Sequence, residues 1–210
     1  PANGLLSLRK AVSQDLKNCW NLEYSADEIL VAGGSRPLIY ATFKTIVDEG
    51  DKVVYPIPSW NNNHYAYLTH AEKIEVETSQ SNNFLPTAEE LKPHLEGAVL
   101  LALCSPLNPT GTMFTKDQLT EICELVLEEN KKRDEDEKPL YLMYDQIYAM
   151  LTFDEEHFNP VSLFPEMKKY TVFIDGTSKS FAATGVRVGW SFGPTEIIDT
   201  FESLNVSVMC

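Results

Sequence analysis

Apolar positions along this chain follow two rhythms that take turns. From Leu5 to Trp20 they recur every three or four residues (Leu5, Leu8, Val12, Leu16, Cys19), which predicts a helix, with Asn3-Gly4 ahead of it as a start signal. Ile29–Ala32, Val53–Tyr55, Ala98–Cys104, Leu140–Tyr144 and Tyr170–Ile174 are instead short apolar runs closed off by glycine, proline or polar residues. Such runs predict strands, and Ala98–Cys104 reads as one covered on both faces of a parallel sheet. Lys73–Val76 and Val186–Phe192 add two more. Helical spacing returns over Pro37–Val47, Thr87–His94 with Thr87 as N-cap, Thr115–Asn130 with Thr115 as N-cap, and Glu196–Leu204. The intervals read as loops: Pro56–His64 after a strand, the charge run Lys131–Lys138, and the proline-punctuated connector Glu155–Lys169. Strand and helix alternate throughout, which predicts an α/β fold, a three-layer α/β/α sandwich around a mostly parallel sheet. No repeat, low-complexity tract or interdomain linker interrupts 1–210, so one domain is expected.

Composition narrows the class of partner. The chain has 210 residues, 43% hydrophobic and 23% charged, enough for one sizeable core. A net charge of -14 argues against nucleic acid, whose phosphates it would repel. No apolar run approaches a membrane span, so no membrane partner is expected. Cys19, Cys104, Cys123 and Cys210 lack CxxC spacing, and free thiols in a reducing cytoplasm are the simplest reading. The four histidines form no metal-ligand spacing.

Residues with distinctive chemistry collect where the strands end, the place at which open α/β sheets bind ligands. Gly33-Gly34-Ser35-Arg36 joins a strand to a helix, a geometry that offers unpaired amides and a helix dipole to an anion, although a plain turn would look the same. Trp60 follows a strand among prolines and asparagines. It could plug a loop or stack on a flat ring. Asn108 stands between Pro106 and Pro109, as a turn residue or as an aimed amide. Asp145 ends a buried strand, where it could satisfy turn amides or face a cation. Lys179 stands among small and apolar residues, where lost hydration favours the neutral, nucleophilic amine that a Schiff-base lysine needs. Arg187 offers a rigid fork of donors suited to a phosphate, or simply edges the core.

Gly176-Thr-Ser-Lys179-x-x-Ala-Ala-x-Gly185-x-Arg187-Val-Gly189 resembles the lysine motif of class I/II aminotransferases, the pyridoxal-phosphate enzymes of fold type I. Gly33-Gly34-Ser35, Pro58-Ser59-Trp60, Asn108-Pro-Thr-Gly111 and Asp145-Gln-Ile-Tyr148 resemble the other parts of that site, in the family's order. The resemblance covers essentially the whole chain, as a large domain resembling the aspartate aminotransferase branch. It implies that Lys179 is catalytic and carries pyridoxal 5'-phosphate. It further implies that Asp145 faces the pyridine nitrogen, that Asn108 and Tyr148 face the phenolic oxygen, and that Trp60 covers the ring. Gly34, Ser35, Arg36, Ser178 and Arg187 then belong to the cofactor site, on its phosphate side. Gly176 departs from relatives with serine there, and Gln146 from those with glutamate. The implied activity is transfer of an amino group between an L-amino acid, aspartate-type, and a 2-oxo acid, in a cytoplasmic homodimer. The small domain built by the family's chain ends, with its substrate-carboxylate arginine, is expected outside 1–210, as is a phosphate-binding tyrosine ahead of Pro1. Two alternatives stay open, a C-S or β-lyase on the same scaffold and a cofactor-binding regulatory module.

Overall fold

Every apolar run read as a strand forms one in the computed structural model, which describes residues 2–209 (the side chain of Met209 excepted). The strands are β1 (Ile29–Ala32), β2 (Lys52–Ile57), β3 (Glu72–Glu77), β4 (Ala98–Cys104), β5 (Tyr141–Asp145), β6 (Thr171–Gly176) and β7 (Gly189–Phe192). They make one sheet in the order β1-β7-β6-β5-β4-β2-β3. Strands β2 to β6 pair in parallel, and β7 runs against both β6 and β1. The main helices are α1 (Leu6–Trp20), α2 (Ser35–Ile46), α3 (Asn62–Leu68), α4 (Ala88–Leu91), α5 (Lys116–Lys131), α6 (Pro160–Leu163), α7 (Thr177–Ser180) and α8 (Thr195–Leu204).

Alternation along each strand sends successive side chains to opposite faces. Leu101 and Leu103 of β4, Tyr144 of β5 and Phe173 of β6 join Leu16 of α1 and Ile122 and Val126 of α5 in one core. Leu100 and Ala102, Met143, Val172 and Ile174 join Leu38 and Phe43 of α2 and Phe201 of α8 in the other. Both faces are therefore covered, and the three-layer expectation holds. Continuous apolar runs were needed because neither face meets water.

Register sets the functional edge. Cys104 pairs with Asp145, Asp145 with Ile174, Gly176 with Gly189, and Gly189 with Ala32. The ends of β1, β4, β5 and β6 and the start of β7 therefore stand in one row.

Four local expectations need correction. The Pro56–His64 loop is shorter than expected, because β2 extends to Ile57 and α3 begins at Asn62. Three asparagines in a row are poor helix formers, but Ala66 is fully buried and Tyr65 packs on Phe43 at 5.5 Å, so tertiary contact overrides propensity. Strand β7 starts at Gly189 rather than Val186, because Thr184–Val186 forms a single turn and Arg187 adopts a left-handed backbone (φ 58°). The Asn3-Gly4 start signal supplies no side-chain cap to α1; instead the Asn3 carbonyl accepts from Val31 N–H at 3.1 Å. The Glu155–Lys169 connector contains α6, capped by the Asn159 side chain.

Candidate active site

The turn after β1 is shaped by what is missing from it. Gly34 has φ +105°, a conformation that side chains rarely tolerate, and it precedes the first residue of α2. Gly189 packs directly on this turn: a Cβ there would lie 2.5 Å from Gly34 C and 2.6 Å from Ser35 N. Without either side chain, the first amides of the twelve-residue α2 stay uncovered, and those amides have no partner within the helix. Arg187 reaches back to the same turn. Its Nη2 donates to Gly33 O at 3.2 Å and its Nη1 to Thr184 O at 3.0 Å, so the left-handed backbone at Arg187 aims the guanidinium toward Gly34. Ser178 is buried beside this turn, and its carbonyl accepts from Thr184 Oγ1 at 3.1 Å. Uncovered helix amides and a fixed guanidinium form a cradle for a phosphate-like anion.

A second group gathers beyond β4, β5 and β6. Asp145 ends β5, with Oδ1 accepting from Ile147 N–H at 3.1 Å. Loss of hydration raises its carboxyl to about 6, with the Ile147 amide and the Lys179 ammonium pulling the other way. The turn-amide role foreseen for it is real, but it engages one oxygen and leaves the other without a partner among the described residues. Asn108 Nδ2 donates to Tyr148 Oη at 3.2 Å, so the amide and the phenol point at one place. Lys179 Nζ lies 5.7 Å from the centroid of the Tyr148 ring. Trp60 is half exposed and plugs no core. The Arg36 guanidinium lies over its indole, 5.9 Å from the centroid.

Lys179 departs from expectation in one respect: its side chain is exposed, not buried. It sits on the one-turn α7, beyond the end of β6, and the loop after it turns Phe181 and Val186 to solvent. Small neighbours leave the amine room but do not enclose it. Ser35, Arg36, Trp60, Asn108, Asp145, Tyr148, Ser178, Lys179 and Arg187 nevertheless line a single cavity of about 560 Å³. Gly34 forms its rim through contact with Arg187. Ile39, Cys104, Ile147 and Thr184 complete the wall, unforeseen because nothing in their local sequence marks them.

The family described as aminotransferase class I and II matches residues 1–209. This chain belongs to the class I and II aminotransferase family. Aspartate aminotransferase of Bacillus subtilis is 31% identical over 207 residues, which is 97% of this chain and 50% of that protein. A solved aspartate aminotransferase of Thermus thermophilus with maleate superimposes with a TM-score of 0.90 at 28% identity, covering all of this chain and 52% of that one. An aromatic aminotransferase from Pyrococcus horikoshii gives 0.91 at 29% identity, covering all of this chain and 55% of that one. The chain thus spans about half the length of the curated relatives it matches.

Aminotransferases of this family use pyridoxal phosphate. The cavity fits that group on two independent grounds. Gly34 and Gly189 let Arg187 and the start of α2 close on one point, where a Cβ would collide with the guanidinium or with the Gly34–Ser35 backbone. At the other end, Asp145 is a desolvated carboxylate without a bonded cation, a suitable partner for a pyridinium N–H.

One buried acid was not read from the sequence. Asp175 is buried in β6, and it accepts from Gln146 Nε2 at 3.2 Å and from Gly176 N–H at 2.7 Å. Burial pushes its carboxyl up to about 7, with those two donors opposing and Asp145 adding to the rise. A lone acid after the apolar Val172-Phe173-Ile174 was the available signal.

Proposed function

We propose that this chain forms the cofactor-binding domain of a pyridoxal-phosphate-dependent aminotransferase that exchanges an amino group between an aspartate-type amino acid and a 2-oxo acid. One observation carries the reading: the Lys179 amine, the Asp145 carboxylate, the Asn108–Tyr148 pair and the Arg187 cradle face one cavity. Bound there, the cofactor supplies an electron sink that eases loss of a proton from the substrate's α-carbon.

The chain's own residues divide the remaining work. Gly34, Ser35 and Ser178 with Arg187 would hold the phosphate, and Asp145 would keep a proton on the ring nitrogen. Asn108 and Tyr148 would donate to the phenolic oxygen, and Trp60 would shield one face of the ring from water. Lys179 would bind the cofactor's aldehyde carbon and, when released, carry the proton from the substrate α-carbon. Names of the relatives favour aspartate, and a homodimer in the cytoplasm completes the proposal. Exposed Phe181 and Val186 beside Lys179 support an assembly that covers them, and the free thiols of Cys19, Cys104 and Cys123 suit a reducing compartment. No helix among the described residues is long and apolar enough to cross a membrane.

The test is the visible absorption of the complete enzyme mixed with pyridoxal phosphate, before and after L-aspartate. A new band that is absent in Lys179→Ala and lost on adding aspartate is expected. A folded protein that gives no band overturns the cofactor role. A band indifferent to aspartate overturns the substrate.

A further inference from the structure

We propose that Asp175, tied to Gln146 behind the cavity wall, is a positioning residue: it locks the strand end that carries Asp145 to the one that leads to Lys179, and its charge acts on the cofactor site from behind Asp145. The proposal rests on the aminotransferase reading above. Phe173 belongs to the core under α1 and Ile174 to the core under α2, so alternation along β6 sends Asp175 to the α1 face. Tyr144 likewise faces α1, which sends Asp145 to the α2 face, where Ser35, Arg36 and Ile39 line the cavity. Asp175 therefore stands behind the wall rather than in it. Its hydrogen bonds continue the β5–β6 ladder past the last rung. Asp145 pairs with Ile174, and Gln146 N–H donates to Ile174 O at 2.9 Å. Beyond that point side chains take over: Gln146 Nε2 donates to Asp175 Oδ2 at 3.2 Å, and Gly176 N–H donates to Asp175 Oδ1 at 2.7 Å. Farther along, Ser180 Oγ donates to Ile147 O at 3.4 Å. Lys179 lies in the chain between these two ties, so together they set its span from Asp145.

Charge provides the second link. Asp175 is 8% exposed, and no cation pairs with it among the described residues. Asp145 from β5 and Asp15 from α1 both favour its protonated form, and β7 sets the uncharged Trp190 beside it. The Gln146 amide suits either state. Its Nε2 donates to the carboxylate, and its Oε1, buried and unpartnered, would accept from the carboxylic acid once the amide turned over. The strap thus survives a change of protonation while the field behind Asp145 does not. Ionised, Asp175 adds a second negative charge there and raises the proton affinity of basic groups on the cofactor. Protonated, it leaves Asp145 to act alone.

The experiment follows the absorption band of the complete, pyridoxal-phosphate-loaded enzyme across pH, without substrate, in wild type, Asp175→Asn and Gln146→Glu. Asp175→Asn keeps the shape and removes the charge, so the pH midpoint of the band should fall by about half a unit. Gln146→Glu, which installs the residue that relatives carry there, adds a carboxylate on the same side and should move the midpoint the other way. A purely structural role has no reason to give shifts of opposite sign. Equal midpoints in all three proteins, or shifts of one sign in both variants, overturn the charge role. Gln146→Ala tests the tie with the charge left in place. Its kcat for aspartate should fall about 10-fold with KM within twofold, because neither Gln146 nor Asp175 lines the cavity. An unchanged kcat, or a loss carried by KM alone, overturns the positioning role. No band in the wild type would remove the aminotransferase reading itself, so the two failures are distinct.

Discussion

A methyl group on Gly189 would press on Gly34 and Ser35 through backbone atoms, which cannot rotate aside as a side-chain tip can. Gly189→Ala must therefore displace the turn whose amides form the cradle. We expect pyridoxal phosphate affinity to fall by 10-fold or more, and stability by about 1–3 kcal/mol from overpacking, measured by absorbance titration and by chemical denaturation. Unaltered affinity would show that the turn is not the phosphate site. Residues such as Gly34, Asn108, Asp145 and Arg187 were legible in the sequence because each breaks the local rule for a strand end. Asp175 and Gln146 were not, because their importance comes from facing each other across β5 and β6, which no single stretch reveals. Exposure of Lys179 was missed for a similar reason: small neighbours in sequence do not establish a lid in space.

Helix α5 shows how local chemistry fixes an element. Thr115 accepts from Gln118 N–H at 3.2 Å while the Gln118 side chain accepts from Thr115 N–H at 3.1 Å, so both orphan donors are met. Thr115→Ala should cost about 1 kcal/mol in denaturant unfolding without altering cofactor affinity, since the cap lies outside the cavity. A change within error would mean that packing by Leu119, Ile122 and Val126 alone decides this helix. Elements with such caps and clear periodicity, α4 and α5, were placed from sequence within about a residue at their starts. Helix α3 was hidden because its asparagines argue against it and its packing partner Phe43 lies in another element. The charged Lys131–Lys138 loop is mostly solvated as expected, yet Arg133 folds back to donate to Ala98 O at 2.7 Å and pairs with Glu129 at 3.2 Å.

Across the whole molecule, two buried groups push the pH dependence of stability in opposite directions. His157 lies between Trp20 and Tyr144 with both ring nitrogens unpartnered, and burial lowers it to about 4. Its folded pKa is below the unfolded one, so its stabilising effect is present above about 6.5 and is lost as pH falls through 4. Asp175, raised to about 7, behaves in the opposite sense: its contribution is fullest below about 4 and is lost as pH rises through 7. Asp175→Asn should therefore stabilise the cofactor-free protein relative to wild type at pH 8, by on the order of a few kcal/mol, with the gap closing toward pH 4. His157→Phe should flatten the acid limb between pH 6.5 and 4. Denaturation midpoints across pH 4–8 decide both, and parallel curves for variant and wild type would reject either role.

Because β7 alone runs against the sheet, it returns the chain to its own beginning, and Arg187 meets Gly33 across 154 residues. The anion cradle is therefore among the most non-local contacts in the chain. During synthesis it cannot exist until both ends of this region have left the ribosome and β1 has found β7. Ligand uptake would then report completed topology, and a cofactor that binds only that state holds the pairing of β1 with β7 in place.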